Sequence, residues 1–136
     1  DYDIASTLAT TVSQRLIRRI CPNCKKERDY TDEEKNIINK IAKKYGQEID
    51  FNGKKTYDAI GCKKCNNIGY YGRIGIFETL EITDEIKELI SKGASTMEIR
   101  SKALEQNYRP LVIDGINKVL KGTTTLDELN RQLVLY

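Results

Sequence analysis

Cys21-Pro22-Asn23-Cys24 and Cys62-Lys63-Lys64-Cys65 contain every thiol in the chain, and both have the Cys-x-x-Cys spacing. A two-residue gap lets both thiolates of a pair point at one ion while the backbone curls round them, so two pairs complete a tetrahedral shell of the kind zinc prefers. A closed shell leaves no position for water or substrate, and its chemistry is structural bracing. The chain has no histidine, which excludes a mixed Cys/His ligand set and an open, imidazole-ligated catalytic zinc. Four thiolates on one zinc ion carry a formal charge of about −2. Lys25, Lys26, Arg28, Lys63 and Lys64 crowd the two pairs, where they favour thiolate over thiol. Gly61 and Gly69 flank the second pair and suit turns with positive φ. Two disulfides or a redox-active pair are the other readings of this spacing. A chain with this many core residues does not need bridges, and a redox motif expects one such pair beside a strand-helix unit.

The stretches on either side must bring the pairs together. Ile4, Leu8, Val12, Leu16 and Ile20 recur every four residues, with Ala5, Ala9 and Ile17 widening the stripe, which predicts a helix ending at Pro22. Its abrupt start suggests a piece of a longer protein. Residues 25–61 leave and return to one metal, too long a path for structureless chain. Within it Thr31-Asp32-Glu33-Glu34 is a capping box, Ile37, Ile38 and Ile41 form a helical stripe, and Gly46 can end it. Asn52-Gly53 marks a turn, and residues 56–60 read as a short strand. Residues 70–82 read as a strand or bent hairpin. The chain then turns helical. Ile86, Leu89 and Ile90 form a first stripe, and Ser95-Thr96-Met97-Glu98 caps a second helix, which breaks at Pro110. Ile113, Ile116, Val119 and Leu120 then run to Gly122, and Thr125-Leu126-Asp127-Glu128 opens the last helix. Arg73 and Glu78, flanking an apolar strand, are a candidate ion pair. The fold expected is mainly α with a small β element: a four-cysteine zinc-binding subdomain attached to a C-terminal helical bundle.

With 23 Lys and Arg against 20 Asp and Glu, the net charge of +3 is weak for a dedicated nucleic-acid binder. No apolar run approaches the roughly 20 residues of a membrane helix. A zinc-ribbon nucleic-acid module, using Lys63, Lys64, Tyr70, Tyr71 and Arg73, is one alternative reading. A free-standing adaptor is another.

Residues 65–72 look a little like the glycine-rich cysteine repeats of DnaJ-type chaperones, which have eight cysteines. A closer likeness covers nearly the whole chain. Ser13-Gln14-Arg15-Leu16-Ile17-Arg18-Arg19-Ile20-Cys21-Pro22-Asn23-Cys24, then Gly61-Cys62-Lys63-Lys64-Cys65, Gly69-Tyr70-Tyr71-Gly72-Arg73-Ile74-Gly75-Ile76-Phe77-Glu78, Asp114-Gly115 and Val119-Leu120-Lys121-Gly122-Thr123-Thr124-Thr125-Leu126-Asp127-Glu128 resemble the GspE/PilB family, the hexameric ATPases of type II secretion and type IV pilus assembly. Ser13 stands where the family usually has Ala, and residues 109–113 diverge. The resemblance implies a C-terminal domain with Cys21, Cys24, Cys62 and Cys65 on one zinc. Residues 1–20 would be a helix continuing from the ATPase core, 21–82 the zinc-binding subdomain and 83–136 the helical bundle. Gln14 and Arg15 could then face the nucleotide region or a subunit boundary. Implied partners are the rest of the ATPase, neighbouring subunits of a hexameric ring and an inner-membrane platform protein, with no nucleic acid. The implied location is cytoplasmic, at the inner face of the cell membrane. The chain has no phosphate loop ending in Gly-Lys-Ser or Gly-Lys-Thr, so ATP and magnesium belong to the parent, and the chain alone is expected to be inactive.

Overall fold

The computed structural model of the chain describes residues 10–106 and 108–135. Its first element corrects the sequence reading: β1 (Thr10–Ile20) is a strand, not a helix. Ile4, Ala5, Leu8 and Ala9 lie outside the described residues. A spacing of four is an even number, so Val12, Leu16 and Ile20 fit one face of a strand as well as successive turns of a helix. Burial does not separate the two, since Ile17 and Ile20 are buried while Leu16 is 46% exposed; pairing does. β1 is hydrogen-bonded to β4 (Tyr70–Glu81) in a two-stranded sheet. That pairing, with β-branched Thr10-Thr11-Val12 at its start, outweighs a helical periodicity that propensity supports only weakly.

A second two-stranded sheet pairs β2 (Lys26–Arg28) with β3 (Thr56–Asp58) antiparallel, Glu27 lying opposite Tyr57. Between them runs α1 (Asp32–Lys44), opened by a full capping box. The Glu34 amide donates to Thr31 Oγ1 at 3.1 Å, and the Thr31 amide donates to Glu34 Oε1 at 2.9 Å. The remaining helices are α2 (Asp84–Ser91), α3 (Thr96–Glu105), α4 (Leu111–Leu120) and α5 (Leu126–Leu133). Helices and two two-stranded sheets bear out the expected fold in part, with more strand than a mainly helical chain would have. No helix of the described residues is long and apolar enough to cross a membrane.

Contacts divide the chain into two compact units. One, the helical unit, holds the described residues up to Gln14 and Phe77–Leu111. Its core is Ile82, Ile86 and Ala103, against which Leu80, Ile90, Ile99 and Tyr108 pack. Ser95 and Glu98 close a capping box on α3. Glu78, the expected partner of Arg73, instead accepts hydrogen bonds from the Tyr108 hydroxyl and, at 3.3 Å, the Leu111 amide. The other, the cysteine unit, holds Arg15–Ile76 and the described residues from Val112 on. Ile17, Ile38, Ile76, Ile113, Ile116 and Leu129 are its largest fully buried apolar side chains. Each contributes about 2 kcal/mol by leaving water. The four helices of residues 83–136 are thus shared between the units, with α2 and α3 in one and α4 and α5 in the other.

Candidate metal centre

Cys21 directly follows β1, and Cys62 directly precedes a single 3-10 turn, Lys63–Cys65. The sheet of β2 and β3 returns the chain from the first pair to the second, so sulfurs 41 positions apart meet. All four Sγ atoms lie within 4.8 Å of one another. Cys21 to Cys62, Cys24 to Cys65 and Cys62 to Cys65 are each 3.8 Å apart. Thiolates about 2.3 Å from a common ion at the corners of a tetrahedron are separated by about 3.8 Å. The donor set and its spacing fit one four-coordinate ion. All four cysteines are free, and 3.8 Å is nearly twice the roughly 2.05 Å of a disulfide.

Backbone geometry at the second pair is set by glycine, as the sequence suggests. Gly61 has φ 112° and Gly69 φ 88°. A Cβ at Gly69 would sit 2.8 Å from that of Ala59, and one at Gly61 would sit 3.0 Å from the Asn67 carbonyl oxygen. Those close approaches aim amides at sulfur. The Gly69 and Cys62 amides both donate to Cys65 Sγ at 3.2 Å, and the Gly61 amide donates to Cys24 Sγ at 3.3 Å. Asn23, a spacer in the motif, donates its side-chain amide to Cys62 Sγ at 3.3 Å. Sequence spacing gave no sign of that contact.

Charge within the cluster is uneven. Hydrogen bonds from the Asn23 side chain and the Cys65 amide pull the Cys62 thiol down to about 6. Burial pushes the Cys65 thiol up, but the Gly69 and Cys62 amides outweigh it and the net shift is downward. Burial and neighbouring sulfurs push Cys24 up to about 11, against the Gly61 amide. Four adjacent thiols cannot all ionise unaided; a divalent cation would supply the charge that lets them.

The cations near the pairs take specific posts. Lys25 Nζ lies 4.1 Å from the centre of the Tyr57 ring, and Lys64 Nζ lies 5.5 Å from that of Tyr71. Arg28 serves the framework instead. Its guanidinium grips the Glu34 carboxylate at 2.6 and 2.9 Å and Asp58 at 2.8 Å, joining β2 to the start of α1 and to β3. Those two carboxylates raise its pKa and hold it charged.

A second cluster, missed in the sequence, lies in the same unit. The Glu128 side chain is fully buried, and its carboxylate accepts from the Arg18 amide at 2.8 Å, from Arg18 Nε at 3.0 Å and from Arg131 Nε at 2.8 Å. The capping box read at Thr125 is therefore only half present. The Glu128 amide donates to Thr125 Oγ1 at 3.0 Å, while the carboxylate that would complete the box goes to the arginines. Arg18 also stacks on the Tyr70 ring at 4.3 Å, and the Tyr70 hydroxyl shares a 2.7 Å hydrogen bond with Thr125. Fully buried Thr124 donates to the Arg18 carbonyl at 2.8 Å. Tyr70, a stacking residue in the nucleic-acid reading, is half-buried and already has Arg18 over its ring. Arg15 donates to the Gln132 carbonyl at 2.8 Å, and Gln14 is exposed.

Most of the chain is similar to known proteins. The family described as "Type II/IV secretion system protein" matches residues 1–131. A type IV pilus assembly ATPase, PilB of Myxococcus xanthus, is 36% identical over 127 residues, 93% of this chain and 21% of that protein. PilB of Thermus thermophilus is 34% identical over 94% of this chain and 14% of its own length. A type II secretion system ATPase E of Vibrio cholerae is 37% identical over 94% of this chain and 24% of its own length. The chain thus spans a quarter or less of each of these relatives.

Proposed function

The chain belongs to the type II/IV secretion system protein family, and from that membership we propose that it is the zinc-binding C-terminal domain of a hexameric ATPase powering type IV pilus assembly or type II secretion. The observation that carries the zinc reading is the convergence of four sulfurs within 4.8 Å, with no other donor among them. Cys21, Cys24, Cys62 and Cys65 would hold the ion, which supplies rigidity and no reactive position. Phosphate chemistry, with ATP and magnesium, resides in the longer protein. Rigid-body movement during its cycle would pass through this domain to the next subunit or to a membrane platform protein at the cytoplasmic face. A braced finger suits that task because a loose one would absorb the displacement.

Elemental analysis of the purified chain tests the reading, with one zinc per chain expected. Cys62→Ser lowers that content and, in the full-length protein, lowers pilus or secretion assembly. A serine variant that keeps a full equivalent of zinc would show that the ligands lie elsewhere.

A further inference from the structure

One face of the cysteine unit gathers positive charge that the metal centre does not use up. Arg19, Lys25, Lys64, Arg73 and Lys121, with Tyr71, line a groove of about 430 Å3, and no carboxylate among the described residues lines it. The five come from separate places: β1, the residue after the first cysteine pair, the 3-10 turn, β4 and the residue after α4. None of the five forms an ion pair with a described carboxylate. A tetrathiolate zinc centre offsets about two of these charges, leaving a surplus of about three. Gathering like charges destabilises a fold by self-repulsion, which an anionic occupant relieves.

We propose that this groove docks an acidic peptide segment of a protein partner. The inference rests on the docking role given above and names the chemistry of what docks. Three features favour spaced carboxylates over phosphate or nucleic acid. The cations come from five separate stretches of chain, so no single loop gathers them as a phosphate loop would. The Gly122 and Thr123 amides at its wall donate to the Val119 and Lys118 carbonyls at 2.9 and 3.0 Å, so they offer a phosphate no cradle. Tyr71 is the one aromatic ring in the lining, with Lys64 5.5 Å from its centre, and a single ring is a poor platform for successive bases.

Fluorescence anisotropy with the zinc-loaded chain and a labelled peptide of alternating glutamate and glycine tests the assignment. Saturable binding is expected, weakening as salt screens the charges. The double variant Arg73→Glu with Lys121→Glu weakens it at least about tenfold, whereas Arg73→Lys with Lys121→Arg retains it. No binding, or equal binding by the charge-reversed chain at unchanged zinc content, overturns the groove assignment and leaves the metal reading intact. Displacement of the peptide by pyrophosphate or single-stranded DNA at lower concentration than by unlabelled peptide overturns it in favour of a phosphate ligand. A chain that binds the peptide through these residues but holds no zinc overturns the metal reading alone.

Discussion

Glu128 places a carboxylate where no water reaches it and surrounds it with two guanidinium groups and a backbone amide. Removing the carboxylate leaves the Arg18 amide without its acceptor and a void at the site, at a cost of about 2 kcal/mol, while the partly exposed arginines regain water. Glu128→Ala is expected to destabilise the cysteine unit by that amount in urea denaturation, although the residue is remote from every thiol in the sequence. The same site makes folding acid-sensitive. Arg131 and Arg18 hold the Glu128 carboxyl below its usual range even though burial opposes them. A depressed folded-state pKa means that the unfolded chain binds the proton first, so the contribution is complete above the ordinary value of 4.5 and fades as pH falls through the lower folded one. Glu34, lowered by Arg28, adds a slope of the same sign. Stability measured from neutral pH downward should therefore fall more steeply below pH 4.5 in the wild type than in Glu128→Gln. Identical acid slopes would exclude Glu128 as a contributor.

Elements with strong local signals form where the sequence places them. Capping boxes at Thr31 and Ser95 open α1 and α3, and α4 ends at Gly122 with the paired Gly122 to Val119 and Thr123 to Lys118 bonds. The convergence of the four sulfurs was legible because two Cys-x-x-Cys pairs are the spacing that suits one tetrahedral ion. β1 was not, since its periodicity fits both structures and its partner β4 lies far along the chain. The Arg18–Glu128 cluster was hidden for a related reason. A glutamate three residues after a threonine reads as a local cap until a distant arginine claims it. Gly69 links local and distant constraints, having φ 88° and Ala59 where its Cβ would go, 2.8 Å from the Ala59 Cβ and 3.1 Å from its carbonyl carbon. Gly69→Ala thus meets both backbone strain and a clash, and should cost at least about 2 kcal/mol. Because the Gly69 amide donates to Cys65, metal should also release to a chromophoric chelator at least about tenfold faster. Gly53→Ala is the control: its φ is 72°, but nothing lies within 4 Å, so only about 1 kcal/mol and no change in metal release are expected. Equal release from both variants would detach Gly69 from the metal site.

At the scale of the molecule, the two units would depend on the proposed ion to different degrees. The helical unit closes its own core of Ile82, Ile86 and Ala103 without touching a cysteine. Between the cysteine pairs, the described apolar residues that are buried are Tyr30, Ile38 and Ala42. Such a core is too small to offset the chain entropy of the finger, so the ion's binding energy becomes folding energy there. Chelation should accordingly unfold the finger first. Hydrogen exchange after zinc removal is expected to lose protection at the amides of β2, α1 and β3 while α2 and α3 keep theirs. The Arg18–Glu128 cluster and the buried Ile113, Ile116 and Leu129 give the rest of the cysteine unit an anchor that needs no metal. Protection at α4 and α5 should therefore fall between these extremes. Simultaneous loss across all five helices would mean one cooperative body, contrary to the separation of their cores. Unchanged protection in the finger would remove the reason for a brace, because hydrophobic contacts alone would then hold Cys21 and Cys62 together.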